Sequence, residues 1–336
     1  MFFTNFAFAM EKERILITGS SGFIGSFIVE EALSRGMEVW AAVRKSSSLQ
    51  YLQDSRIHLL YLDMSSEEKV TEALRGKSFN YVVHAAGATK ALTTEQFYAV
   101  NTQGTINLIS ALQALQMPVR RLVFISSLSV YGPAREQQPY TEIKDTDTPV
   151  PNTAYAKSKL KAEEWVRAHC TIPFVILRPT GVYGPREKDY MLMADSIRKG
   201  IDIAAGFTRQ DITFVFVKDV VQAVFLALSA EAAIGKAYFL SDDVVYTSRD
   251  FSDLIKEELH KRFLIRVTLP LWVLRTACWL SDVMMHITGK LSTLNNDHYN
   301  ILCQRNWRCD ITPAKQDLGY NPQWKLKEGV KEMLKK

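Results

Sequence analysis

Short, almost wholly apolar runs alternate with helix-patterned stretches through the first half of the chain, and this rhythm restricts the fold more than any other feature. Arg14–Thr18 (RILIT), Glu38–Val43, Ile57–Leu62, Tyr81–His84, Leu122–Ser126 and Phe174–Arg178 read as strands. Phe23–Ser34, about Glu67–Arg75, Thr94–Gln116 and Thr153–His169 read as helices. Strands that are apolar at nearly every position are buried on both faces, which requires a parallel sheet covered by helices on both sides. Right-handed crossovers then predict an α/β fold with a doubly wound parallel sheet.

After Arg178 the rhythm loosens. Pro179, Gly181, Gly184 and Pro185 mark a loop, and helices dominate beyond it: about Met191–Lys199, Val217–Ser229, Arg249–Lys261, Leu271–Ile287 and Lys327–Leu334. A length of 336 residues suits two units at roughly 150 residues each. The expected division is an extension over 1–12, the sheet domain over 13–180 and a smaller, mostly helical lobe over 181–336. The lobe is expected to interleave partly with the sheet domain and close over the carboxyl ends of its strands, where open parallel sheets bind ligands.

The net charge of +5 is mild for this length and no run of five basic residues occurs, so nucleic acid is not an implied partner. Cys170, Cys278, Cys303 and Cys309 form neither a Cys-x-x-Cys pair nor a metal-ligand cluster. No metal is expected, and the cytoplasm fits unpaired thiols. Met1–Met10 (MFFTNFAFAM) has no basic flank before it and reads as an extension, not a signal peptide. Leu269–Ile287 is apolar but contains Arg275, Asp282 and His286, short of the ~18 uninterrupted apolar residues a membrane span needs. Ordinary packing is expected there, ahead of membrane contact or a dimer face.

Directly after the first strand comes Thr18-Gly19-Ser20-Ser21-Gly22-Phe23-Ile24-Gly25. Glycines at this spacing allow a tight turn, close backbone approach to a pyrophosphate and close packing of helix on strand. The helix N-terminus then favours the phosphates. A glycine-rich turn without a ligand is the plainer alternative. The flanking strand and helix favour a dinucleotide, held by Gly19, Ser21, Gly22, Phe23, Ile24 and Gly25. The second strand ends Val43-Arg44-Lys45-Ser46. A carboxylate at that strand end would hold an NAD ribose; a guanidinium beside serine hydroxyls suits a 2′-phosphate. NADP is therefore preferred, with NAD possible. Asp63, followed by Met64, ends the third strand. It is either an acceptor for the adenine amino group or a turn residue.

Tyr155-Ala156-Lys157-Ser158-Lys159 places Tyr155 and Lys159 on one helix face. The pattern is weak alone, but it opens the helix that follows the fifth strand, whose end carries Ser126 and Ser127. Hydride transfer to a ketone builds an alkoxide that must be protonated. A free tyrosine, with a pKa near ~10, trades protons poorly at neutrality. A neighbouring Lys159 ammonium and an oxidised nicotinamide are expected to lower that value. A serine donor fixes the carbonyl oxygen.

With these motifs in hand, the chain resembles the extended short-chain dehydrogenase/reductase family from about Arg14 to Leu334. The likeness rests on Thr18–Gly25, Asp63, His84-Ala85-Ala86-Gly87, Asn101–Thr105, Ser126–Gly132, Tyr155–Lys159 and Leu177–Pro185. It implies Tyr155 as general acid/base, Lys159 as its partner, Ser127 rather than Ser126 as the catalytic hydroxyl, and Asn101 as support. It implies Ala85, Ala86, Gly87 and Ser126 along the cofactor, Pro179 and Thr180 near the nicotinamide amide, and a homodimer through the 94–116 and 153–169 helices.

The departures from the family pattern are informative. Dehydratases of this family carry Asp-Glu after the catalytic hydroxyl residue, where this chain has Leu128-Ser129. Sugar-nucleotide epimerases place a phosphate-binding Arg where Ile212 stands, although Arg209 is near. The Val43-Arg44 strand end and the long apolar helix after Pro270 resemble the dihydroflavonol reductase and 3β-hydroxysteroid dehydrogenase branches. Phe207, Phe214 and Phe216 each read as core first, with apolar surface for a substrate as the alternative. The expected activity is an NADP-dependent oxidoreductase acting on an apolar, non-nucleotide small molecule. A sugar-nucleotide epimerase and a non-catalytic cofactor-binding sensor are the alternatives.

Overall fold

Strands this apolar have no solvated face to offer, and in the computed structural model they lie side by side in one sheet. The model describes residues 12–289, 292 and 294–335. Residues 1–11, most of the expected extension, lie outside them. The chain runs β1 (Arg14–Thr18), α1 (Phe23–Ser34), β2 (Glu38–Val43), β3 (Ile57–Tyr61), α2 (Glu67–Leu74) and β4 (Tyr81–His84). It continues through α3 (Thr94–Phe97), a π-helical stretch (Tyr98–Gln103), α4 (Gly104–Ala114), β5 (Arg121–Ile125), α5 (Ala154–His169) and β6 (Phe174–Pro179). Then come β7 (Gly181–Tyr183), α6 (Lys188–Arg198), β8 (Ile201–Ala205), β9 (Phe214–Phe216), α7 (Val217–Ser229) and β10 (Ala237–Leu240). The last elements are α8 (Asp250–Glu258), β11 (Ile265–Leu269), α9 (Leu271–Thr288), α10 (Asn296–Cys303), α11 (Thr312–Leu318) and α12 (Leu326–Leu334).

The sheet has seven strands in the order β10-β6-β5-β4-β1-β2-β3, every pair parallel. The order reverses between β1 and β4, and that switch point opens a crevice at the carboxyl ends of the strands. Alternation within one strand shows why both faces need helices. Ile15 and Ile17 pack against Ile28 and Val29 of α1 and Val220 and Val224 of α7. Leu16, between them, packs with Val70 of α2, Leu108 and Leu112 of α4 and Val166 of α5. Each fully buried side chain of this size contributes roughly 1.5–3 kcal/mol.

The seventh strand, β10, was not expected. It adds to the sheet edge from the second part of the chain, and α7 packs back onto α1. The expected single helix over 94–116 is interrupted by the π-helical stretch around Asn101. Its apolar period continues across the break, so the pattern does not register it.

The small lobe has its own core. Tyr183, Phe214, Phe216, Phe251 and Ile255 are buried together. Phe214 and Phe216 are therefore core and do not line a substrate site, whereas Phe207 is solvent-exposed. The 269–287 stretch packs along one stripe only. Only Leu274, Cys278 and Met285 of α9 are buried, while Trp272 is 73% and Trp279 55% exposed. No helix among the described residues is long and apolar enough to cross a membrane.

Candidate active site

The loop from β1 into α1 is built by close backbone approach. Gly19 has φ +70° and lies so near the end of β4 that a Cβ would meet the Ala85–Ala86 backbone at 2.6 Å. A Cβ on Gly25 would lie 2.1 Å from the Gly19 carbonyl. Both glycines are thus required by the turn itself. The helix ends differ in a telling way. Ser66, Thr93 and Thr153 cap the helices α2, α3 and α5 with their side chains. Gly22 gives α1 no side-chain cap, and no acidic residue lies in its first turn. The first N–H groups of α1, at Phe23, Ile24 and Gly25, are left for an outside acceptor. A pyrophosphate fits that position by charge and by space.

Arg44, Lys45 and Ser46 form an exposed turn at the end of β2. The turn is held by Ser47, which accepts from the Arg44 N–H at 3.1 Å and donates its own N–H to the Arg44 carbonyl at 2.9 Å. Among the described residues no acceptor meets the Arg44 guanidinium. Asp63 is engaged locally: Lys69 donates to it at 2.8 Å and the Ser65 N–H at 3.0 Å. These donors, Lys69 first, hold its carboxyl down at about 2. It has the contacts of a turn residue. Met64 offers its carbonyl to Asn107 at 2.8 Å.

The reacting groups meet where β5 ends and α5 begins. Ser127, the N-cap of a short 3₁₀ turn, accepts from the Ser129 N–H at 3.2 Å and the Ser129 hydroxyl at 2.9 Å. It lies near enough to Tyr155 to act on the phenol. Burial pushes the Tyr155 phenol up to about 12, and the hydrogen bond from Ser127 opposes that rise. Lys159 donates from Nζ to the Ile125 carbonyl at 2.9 Å. It also lies so near Gly87 that a Cβ there would sit 3.1 Å from Nζ. Burial lowers Lys159 to about 8, and the attraction of Glu163 works the other way. The expected lowering of Tyr155 by Lys159 is therefore not found. Desolvation dominates both groups, and the lysine is held by a carbonyl.

A buried lysine of this kind ties stability to pH. Its folded pKa lies below its unfolded value, so the native state binds fewer protons between about pH 8 and 10.5. The penalty is complete below about 8 and relieved as pH rises through that window. The stability of the ligand-free wild type relative to Lys159→Met is expected to increase over it. Urea unfolding at stepped pH measures this, and a constant difference would mean that Lys159 stays fully protonated.

Asn101, in the π-helical stretch, accepts from the Ala88 N–H at 2.7 Å and donates to the Ala88 carbonyl at 3.0 Å and to Ser158 Oγ at 2.9 Å. It thereby ties the segment after β4 to the catalytic helix. A chain of hydrogen bonds that the sequence did not disclose lies beneath it. Thr105 Oγ1 donates to the Asn101 carbonyl at 2.7 Å, so it must accept from His84 Nε2 at 2.9 Å. His84 Nδ1 then accepts from Thr18 Oγ1 at 2.7 Å, which accepts from the Ala86 N–H at 3.3 Å. Burial lowers His84 to about 3, so the ring stays neutral and keeps this tautomer. The chain locks the glycine loop, the cofactor-side Ala85–Gly87 segment and Asn101 together.

Two expected residues are otherwise occupied. The Ser126 hydroxyl donates to the buried carboxylate of Glu163 and its N–H to the Leu177 carbonyl at 2.7 Å, so neither donor is free for a ligand. Thr180 donates to the Thr213 carbonyl at 2.8 Å and sits with Pro179 at the buried end of β6. At the position of the expected phosphate contact, Ile212 pairs in a β-bridge with Tyr246. Arg209 is bound to Asp211 at 2.8 Å. Among the described residues no group of His, Cys, Asp or Glu is placed to hold a metal ion.

Comparison with known proteins places the fold and the family. The chain is 27% identical over 332 residues to a UDP-glucose 4-epimerase of Vibrio cholerae, covering 95% of this chain and 94% of that one. It is 25% identical over 358 residues to a decarboxylating sterol-4-alpha-carboxylate 3-dehydrogenase of Candida albicans, covering 96% and 97%. Among solved structures, UDP-glucuronic acid 4-epimerase from Bacillus cereus in complex with NAD superposes with a TM-score of 0.73 at 20% identity, over 95% of this chain and 96% of that one. A family match spans residues 15–240, which takes in the glycine loop, Ser127, Tyr155 and Lys159. The chain belongs to the NAD dependent epimerase/dehydratase family.

Proposed function

We propose that this enzyme interconverts a secondary alcohol and a ketone on an apolar, non-nucleotide substrate, with NADP as its cofactor. The observation that carries the reading is the convergence of three groups: the Ser127 hydroxyl at the end of β5, near enough to Tyr155 to influence its phenol, and a buried Lys159 one helical turn along α5. The bound nicotinamide supplies the site for hydride exchange. Tyr155 hands a proton to the developing alkoxide, or takes one from the alcohol in reverse. Ser127 orients the oxygen, and Asn101 fixes the backbone around both. Lys159 is placed to reach the ribose hydroxyls and to add positive charge beside the phenol.

The unengaged Arg44 guanidinium supports NADP, since no carboxylate stands at that strand end. NADPH is expected to bind more tightly than NADH, and Arg44→Ala is expected to erase the difference. Loss of a charge-assisted guanidinium–phosphate contact corresponds to roughly 10–100-fold in affinity. Fluorescence titration with both nucleotides measures it, and a wild-type preference for NADH would remove Arg44 from the site.

The non-nucleotide substrate is supported by Ile212 and by Asp211, which occupies Arg209 and lies 3.8 Å from Arg308. The epimerase relatives favour a second reading, a sugar-nucleotide epimerase. A screen of ketones and secondary alcohols followed by nicotinamide absorbance decides between them. Turnover on those substrates supports the first reading; saturation by a UDP- or dTDP-sugar supports the second. Unpaired Cys170, Cys278, Cys303 and Cys309 support a reducing, cytoplasmic setting. A homodimer through α4 and α5 remains the expected assembly, and a monomer mass by light scattering would refute it.

A further inference from the structure

The first turn of α5 carries the proton donor, and its N–H groups have no acceptors within the helix. Thr153 takes one of them, with Oγ1 accepting from the Ala156 N–H at 3.1 Å. The N–H of Ala154 is taken from far away in sequence. Asp297 of α10 accepts it through Oδ2 at 2.9 Å and lies 3.4 Å from the N–H of Tyr155 itself. One helical turn further along α10, Asn300 donates to the Asn152 carbonyl at 3.0 Å. Two side chains on one face of α10 thus clamp residues 152–155. Asp297 is half-buried, and the charged groups facing it are Lys157 of α5 and Asp282 of α9.

We propose that Asp297 is a positioning residue for Tyr155. It seats the first turn of the catalytic helix from the C-terminal lobe and sets the charge at that helix end. This deepens the proposed function and rests on it. The positional part follows from the bonds: the backbone of the proton donor is joined to α10, more than 140 positions on in the chain, through one carboxylate. The electrostatic part follows from the helix. Its amino end carries partial positive charge, which favours a phenolate on Tyr155, and the Asp297 carboxylate cancels part of it. Burial raises the Asp297 carboxyl above its usual range, and the two backbone N–H groups oppose that rise.

Three variants separate the two parts. Asp297→Asn keeps an acceptor for Ala154 and removes the charge. In alcohol oxidation, where the phenolate is the active form, the acid limb of the kcat/KM profile is expected to move down by about 0.2–0.7 pH unit. Asp297→Ala removes the acceptor as well. It is expected to lower kcat about fivefold to tenfold, as the loss of a cap implies, while the dissociation constant of the cofactor changes less than twofold. Asp297→Glu is expected to restore much of the kcat lost in the alanine variant. Cofactor titration and thermal unfolding of each variant report the fold independently of turnover. A profile for Asp297→Asn that superimposes on the wild type, or an alanine variant with unaltered kcat, overturns the proposal. Tyr155→Phe runs alongside as the control: if it retains turnover, the functional reading fails, and if it is inactive while the Asp297 variants behave as wild type, only the inference fails.

Discussion

Tyr155→Phe is expected to reduce turnover by about 10²–10⁴-fold, the usual range for removing a general acid/base, while cofactor affinity stays within about twofold. The phenol lies near the Ser127 hydroxyl, and among the described residues no helix cap or ion pair depends on it. Its ring lies 6.4 Å from that of Phe97, and phenylalanine preserves this contact. The substitution removes a proton and one hydrogen bond and leaves the shape intact. Steady-state rates with any substrate found in the screen, paired with nucleotide titration, measure the two effects separately. Full activity in the variant would take the proton donor away from Tyr155. Loss of nucleotide binding along with activity would mean that the tyrosine builds the cofactor site instead.

The second large effect is expected beneath the site. Arg178, at the end of β6, is 3% exposed and meets Glu163 of α5, itself 1% exposed, at 2.5–3.1 Å. Ser126 donates to the same carboxylate, and Asp145 and Tyr131 complete the cluster around the guanidinium. Burial opposes the charge on Arg178, but the attraction and hydrogen bonds of Glu163 more than offset it, and its pKa rises above the usual value. Arg178→Met leaves Glu163 buried with one hydroxyl as partner. The expected cost is about 3–5 kcal/mol of folding stability, read from urea unfolding. Adding Glu163→Leu to the same chain is expected to recover most of it, because an apolar pair does without the desolvation of both ions. A single variant as stable as the wild type would show that Glu163 takes up a proton or reaches water. Ser126 and Ser127 are adjacent, so the single variant is also expected to lose turnover as the β5 end shifts.

Much of this architecture was readable because its signals are local. The six apolar runs became six parallel strands, and the glycine spacing placed a tight turn between β1 and α1. The Tyr155–Lys159 spacing put both groups at the start of α5. What escaped the reading was non-local or hidden by burial. β10 is a four-residue strand with no periodicity of its own, and it joins the sheet only because β6 presents an open edge. Phe214 and Phe216 were expected to be core ahead of substrate-facing surface, but only their neighbours Tyr183 and Phe251 decide it. Asp297 lies 143 positions from the N–H it accepts, and no pattern over a few residues connects the two.

The protonation of the site divides in the same way. Residue types fixed which groups can exchange a proton: a phenol, an ammonium and two hydroxyls at one edge of a parallel sheet. The direction in which each is shifted is set by packing, because desolvation raises the phenol and lowers the ammonium more than either group affects the other. Covalent order alone determined the doubly wound sheet, the phosphate-ready helix end and the chemistry available at the crevice, since each depends on side chains a few residues apart. Folding in three dimensions decided which serine is free, which tautomer His84 keeps and which carboxylate holds the catalytic helix. Those depend on partners brought together from distant parts of the chain, and on the water their contact excludes.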